Sequence, residues 1–131
     1  MNDVTDIVRD LEDTAQRVKK AADRLYRLTV EVHGGIDQET GEVIQGVDSK
    51  WQDAYDAEII AIESEAIANA VRPPAADIRQ ALARQRARDK SPTLYADYLR
   101  LTAEVEALQR WIATNKSVVS ALQSVLRGER D

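Results

Sequence analysis

The chain of 131 residues has no cysteine and no phenylalanine, a single histidine, three prolines and five glycines. The lack of cysteine excludes disulfides, thiolate metal ligands and a cysteine nucleophile. One histidine, His33, cannot build a histidine metal cluster or a multi-histidine relay within one chain. So few turn-forming residues argue against a sandwich or barrel, which needs a turn every few residues. No apolar run approaches the roughly 20 residues that cross a bilayer, and no basic-then-apolar leader opens the chain. A soluble, cytoplasmic protein with no membrane partner is expected.

What the chain does have is helix-forming material. Hydrophobic residues make up 44% and charged residues 31%, enough of each for a core and a wet surface rather than a disordered acidic tail. The size suits one domain, and an all-α fold is expected. From about residue 3 to 33 the pattern repeats every seven residues. Val4, Leu11, Val18, Leu25 and Val32 form one row, with Ile7, Thr14, Ala21 and Leu28 three residues later. That is a coiled-coil seam over four heptads. Gly34-Gly35 stops this helix. Residues 34–47 place β-branched residues on both sides of a polar turn, so a small hairpin or ordered loop is expected.

Ser49 and Gln52 have the spacing of a capping box, which predicts a second helix over about 49–71 with an inner face containing Trp51, Tyr55, Ile59 and Ile62. Pro73-Pro74 ends it. A short basic helix is expected over 75–89, with Ile78, Ala81 and Leu82 as its thin apolar face. Ser91-Pro92 then opens the last helix, to about 127. Its pattern is the clearest in the chain: Tyr98, Val105, Ile112, Val119 and Leu126 in one row, Leu94, Leu101, Leu108, Asn115 and Leu122 in the other. A helix of roughly 54 Å requires a long partner. The first helix, in a helical hairpin, and a second copy of the last helix both meet that requirement. These ten positions are the candidate oligomerisation residues of a homo-oligomer. Asn115 either sets the register of that seam or marks where it opens to solvent.

The chain carries few groups in a chemically telling arrangement. No glycine-rich phosphate loop and no nucleophile elbow is present. Asp53 and Asp56, one turn apart, have the spacing to share a hard cation, but carboxylates opposite an apolar stripe also read as the wet face of a helix, as do Glu58, Glu63 and Glu65. No metal, no cofactor and no enzymatic activity is expected. The charge distribution is more informative. Residues 1–71 hold 7 basic and 16 acidic side chains, a net of −9, whereas residues 72–131 hold 11 and 7, a net of +4. The excess is concentrated in Arg72, Arg79, Arg84, Arg86, Arg88 and Lys90, and Tyr95 follows. Guanidinium groups track phosphates and aromatic rings offer stacking planes. Arg79, Arg84, Arg86, Arg88, Lys90 and Tyr95 are therefore the candidate residues for single-stranded nucleic acid. At about 100° per residue, Arg84 and Arg88 share one face and Arg79 and Arg86 another. One row is free to grip a strand while the other meets the acidic second helix. Charge-matched self-association is the competing reading.

The last helix, with Leu108-Gln109-Arg110-Trp111-Ile112 followed by Ser117 to Leu126, resembles phage recombination mediators of the UvsY type over about 40 residues. The resemblance implies a small all-helical homo-oligomer that binds single-stranded DNA and helps load a recombinase onto it; the expected partners are single-stranded DNA and a recombination or replication protein. The alternative is a helical interaction, assembly or inhibitor protein with no nucleic-acid role. A net charge of −5 opposes DNA binding unless the basic segment is spatially separated from the acidic half.

Overall fold

A computed structural model describes residues 3–130. The order of elements is α1 (Val4–His33), β1 (Gly35–Ile36), β2 (Val43–Ile44), α2 (Val47–Ala68), α3 (Ala76–Lys90) and α4 (Pro92–Arg130). The fold is all-α with a two-stranded hairpin between the first two helices, as the periodicity predicts. Among the described residues no helix is long and apolar enough to cross a membrane. The described residues divide into two units, 3–29 with 103–130, and 30–102.

In the first unit the early part of α1 runs antiparallel to the later part of α4. Leu11 shares a cleft with Gln123 and Leu126, Ala21 shares one with Leu108 and Trp111, and Arg24 reaches Glu104 at 3.5 Å. The Asp3 carboxylate caps α1 by accepting the Asp6 N–H at 2.9 Å, which satisfies one of the amides that the first turn leaves without a partner. Ile7 and Leu28 from α1 and Val105, Ile112 and Leu126 from α4 are buried. All five belong to the two heptad seams.

The second unit begins where α1 ends. Gly34 takes φ +82° and its N–H returns to the Val30 carbonyl at 2.7 Å, a left-handed helix stop that glycine adopts at little cost. The strands pair antiparallel, Gly35 opposite Ile44 and Ile36 opposite Val43. Asp37 organises the turn, its carboxylate accepting the N–H groups of Glu39 and Thr40. At the hairpin base Gly46 is buried, and a β-carbon there would run into the Val32 carbonyl and the Gly34 amide.

Helix α2 starts at Val47, after Gly46, so Ser49 lies inside the first turn rather than at the cap. The expected capping box is not formed. The Gln52 side chain donates to Asp56 instead, at 2.9 Å. The helix closes at Ala68, with the Val71 N–H on the Ala66 carbonyl and the Ala70 N–H on Ile67. That is the Schellman pattern, and it places Ala70 at φ 53°. Helix α3 then packs back on α2. The expected inner face of α3 is corrected: Ala83 and Ala87 are the buried residues, whereas Ile78 is 59% exposed. Small side chains let the α3 backbone approach Ile62 and Ala66 of α2, both buried. Only Ser91 separates α3 from α4, which is three residues longer than the sequence reading of its end.

Candidate nucleic-acid interface

The close approach of α3 to α2 sorts the basic residues into two sets. Arg86 forms a two-pronged contact with Glu65, Nη1 to Oε1 at 3.0 Å and Nη2 to Oε2 at 3.1 Å. The hydrogen bond from Arg86 holds the Glu65 carboxyl below its ordinary range, with the nearby positive charges of Arg86 and Lys90 adding to it against partial desolvation. The same bond raises the Arg86 guanidinium. Arg79 lies 3.9 Å from Glu63. The row of Arg79 and Arg86 thus meets acidic α2, as its helical phase requires. Lys90 is also engaged, with Nζ 2.7 Å from Glu58 Oε1. Glu58 itself is a correction: it is 5% exposed, not on the wet face, and among the described residues its Oε2 has no hydrogen-bond partner.

Arg84 and Arg88 make the second set. One turn apart on α3, both exposed, they line a cleft of about 530 Å³ together with Trp51, Tyr95, Tyr98 and Leu99. The Arg88 guanidinium carbon sits 5.7 Å from the centre of the Tyr95 ring, within the range of a cation–π contact. Trp51 holds both tyrosines, with ring centres 5.0 Å from Tyr95 and, nearly parallel, 6.1 Å from Tyr98. Among the described residues neither Arg84 nor Arg88 forms an ion pair with a carboxylate. The cleft therefore joins two uncompensated cations to a three-ring aromatic wall in one concave surface.

The structure brings Arg84, Arg88 and Tyr95 to this cleft and commits Arg79, Arg86 and Lys90 to α2. Sequence reasoning missed Trp51 and Tyr98 as cleft residues, reading the first as core and the second as seam. The signal was the placement of both near helix starts, Trp51 in the second turn of α2 and Tyr98 in the second turn of α4. Their meeting depends on a tertiary fold that periodicity does not encode. Of the seam, Leu101, Val105, Ile112 and Leu126 are buried within one chain. Leu94, Tyr98, Leu108, Asn115, Val119 and Leu122 are half-buried. Asn115 donates to the Trp111 carbonyl of its own helix at 2.8 Å.

Elsewhere, His33 Nδ1 lies 2.7 Å from Asp48 Oδ2. Asp53 and Asp56 each accept from a glutamine amide, Gln45 and Gln52 respectively, at 2.9 Å. Among the described residues no group of three or more histidine or carboxylate side chains is placed to hold a metal ion. No protein-family model, no curated protein and no solved structure matches the chain.

Proposed function

We propose that this chain is a non-enzymatic accessory protein of DNA recombination or replication, a homo-oligomer that binds single-stranded DNA and a partner protein. The observation that carries the reading is the cleft of Arg84, Arg88, Trp51, Tyr95 and Tyr98. Phosphates want guanidinium groups with no carboxylate in competition, and unpaired bases want ring faces. A volume of about 530 Å³ leaves room for a base and its phosphate. The ion pairs of α3 with α2 reduce the net-charge objection without removing it, since the chain stays at −5. Glu58, Glu63 and Glu65 are matched by cations, so these three do not face a strand bare. The resemblance of the last helix to UvsY-type mediators supports the process rather than the contact.

The test is anisotropy of a labelled poly-dT strand at several salt concentrations. Binding at low salt should weaken as salt rises, by about 0.7 log units per log unit for each phosphate neutralised. Replacing Arg84 and Arg88 by Ala should lower that slope by about 1.4, and Tyr95→Ala should weaken binding with the slope unchanged. No binding of the unmodified chain at low salt overturns the reading. The second reading, a helical interaction or assembly protein without nucleic acid, then takes its place. It is favoured by Ile60, Ile67 and Ile78, which stand 63%, 79% and 59% exposed in the second unit.

A further inference from the structure

Helix α4 carries two heptad seams, and the first is partly covered within the chain: Val105, Ile112 and Leu126 are buried in the first unit, which also holds α1, and Leu108, Asn115, Val119 and Leu122 are half-buried. The second lies about 100° further round the helix. Trp111, Thr114, Val118, Ala121, Val125 and Gly128 follow one another at spacings of three and four, the repeat of a coiled-coil face. All six are exposed, with Trp111, Val118 and Val125 at 39%, 42% and 46%. None is charged, although Arg110, Lys116 and Arg127 lie on the same stretch of helix.

We infer that this second seam is the contact between two copies of the chain, paired antiparallel about a two-fold axis between Val118 and Ala121. The large row is Trp111, Val118 and Val125; the small row is Thr114, Ala121 and Gly128. An antiparallel pairing sets a residue of one row against a residue of the other in every layer. Trp111 faces the partner's Gly128, Thr114 faces the partner's Val125, and Val118 faces the partner's Ala121. The widest side chain meets the residue with none. A parallel pairing sets Trp111 against its own copy and leaves the small row empty.

Gly128 provides an independent argument. A glycine inside a helix costs about 1 kcal/mol relative to alanine, and less in the last turn, where Gly128 lies two residues before the end of α4. Among the described residues a β-carbon at Gly128 would meet nothing within 4 Å, so packing within the chain does not call for a residue without one. A tryptophan arriving from a second copy does. The lack of charge on the face points the same way, because a nucleic-acid surface would hold its cations inward.

The inference gives the homo-oligomer of the proposed function its interface, and it does not depend on nucleic-acid binding. The seam covers 18 residues, about 27 Å, which suits a modest interface with roughly micromolar dissociation. The experiment is sedimentation of the full chain over a concentration series, with helicity followed by circular dichroism. A dimer is expected for the unmodified chain. Gly128→Leu fills the space meant for Trp111 and should raise the dissociation constant at least about tenfold; Ala121→Arg buries a charge in the seam and should do the same. Both positions are exposed and both new residues are good helix formers, so helicity should hold. The paired change Arg84→Ala with Arg88→Ala should leave the mass unaltered, which separates this test from that of DNA binding. A monomer at every concentration up to about 1 mM, or a dimer indifferent to both seam variants, overturns the inference.

Discussion

Ala70 stands in the left-handed region, at φ 53°, where its β-carbon crowds the backbone and an L side chain is strained by about 1–2 kcal/mol. Glycine avoids that strain but gives up about 0.5–1 kcal/mol of chain entropy on folding. Ala70→Gly should therefore stabilise the chain by about 0.5–1 kcal/mol, seen as a rise of roughly 2–4 °C in thermal midpoint; an unchanged or lower midpoint would mean the Schellman closure of α2 is not what fixes this residue. Glu58 and Lys90 present a different asymmetry. The carboxylate is 5% exposed, whereas the lysine side chain is 67% exposed. Lys90→Ala strands a buried charge and should cost about 1–2 kcal/mol, moderated by water that reaches the vacated site. Glu58→Leu leaves only a cation already in water and should cost less than Lys90→Ala in denaturant titration. The reverse order would show that the pair is held for the lysine. Neither Ala70 nor Glu58 was legible in the sequence. Positive φ falls on Ala70 because the chain must turn before Pro73-Pro74, and Glu58 is drawn inward by a partner 32 positions away.

The helices differ in how openly they announce themselves. Those that supply the first unit, α1 and α4, carry strict seven-residue repeats, so their existence, seams and approximate ends follow from residues such as Ile7, Leu28, Ile112 and Leu126, all buried. The pair α2 and α3 is held by a close backbone approach, which uses alanine. Alanine carries almost no hydrophobic signal, so Ile78 drew attention to the wrong face while Ala83 and Ala87, 0% and 1% exposed, went unnoticed. The start of α2 at Val47 is likewise set by a small residue. Gly46 fits because only a residue without a β-carbon passes the Val32 carbonyl, and the serine that looked like a cap is simply in the first turn. Ala87→Leu should destabilise the α2–α3 pair by about 1–3 kcal/mol through overpacking. The same change at exposed Ala81 should be nearly neutral. Chemical denaturation of both variants checks the contrast, and equal effects would contradict the assignment of the inner face.

Part of the charge imbalance of the chain, −9 before Arg72 and +4 from it onward, is met by three local ion pairs between α2 and α3. Glu63 and Glu65 of α2 hold Arg79 and Arg86, and the cleft keeps Arg84 and Arg88. The acidic helix thus limits how many cations a strand can use. Glu63→Gln with Glu65→Gln should free Arg79 and Arg86, tighten single-strand binding at low salt and steepen its salt dependence by up to about 1.4 log units per log unit of salt, 0.7 for each cation that gains a phosphate. The same coupling sets a pH dependence. Because Arg86 depresses the Glu65 carboxyl, the tie between α2 and α3 is fully present above the ordinary glutamate range and is lost as pH falls through the depressed value. Acid titration followed by circular dichroism should show the unmodified chain holding the α2–α3 contact to lower pH than an ordinary glutamate would allow. The Glu65→Gln variant should lack that portion of the pH dependence, since it has no proton to take up. If both chains lose structure along the same acid curve, or if the doubly substituted chain binds no more tightly with an unchanged salt slope, α2 does not gate the basic row.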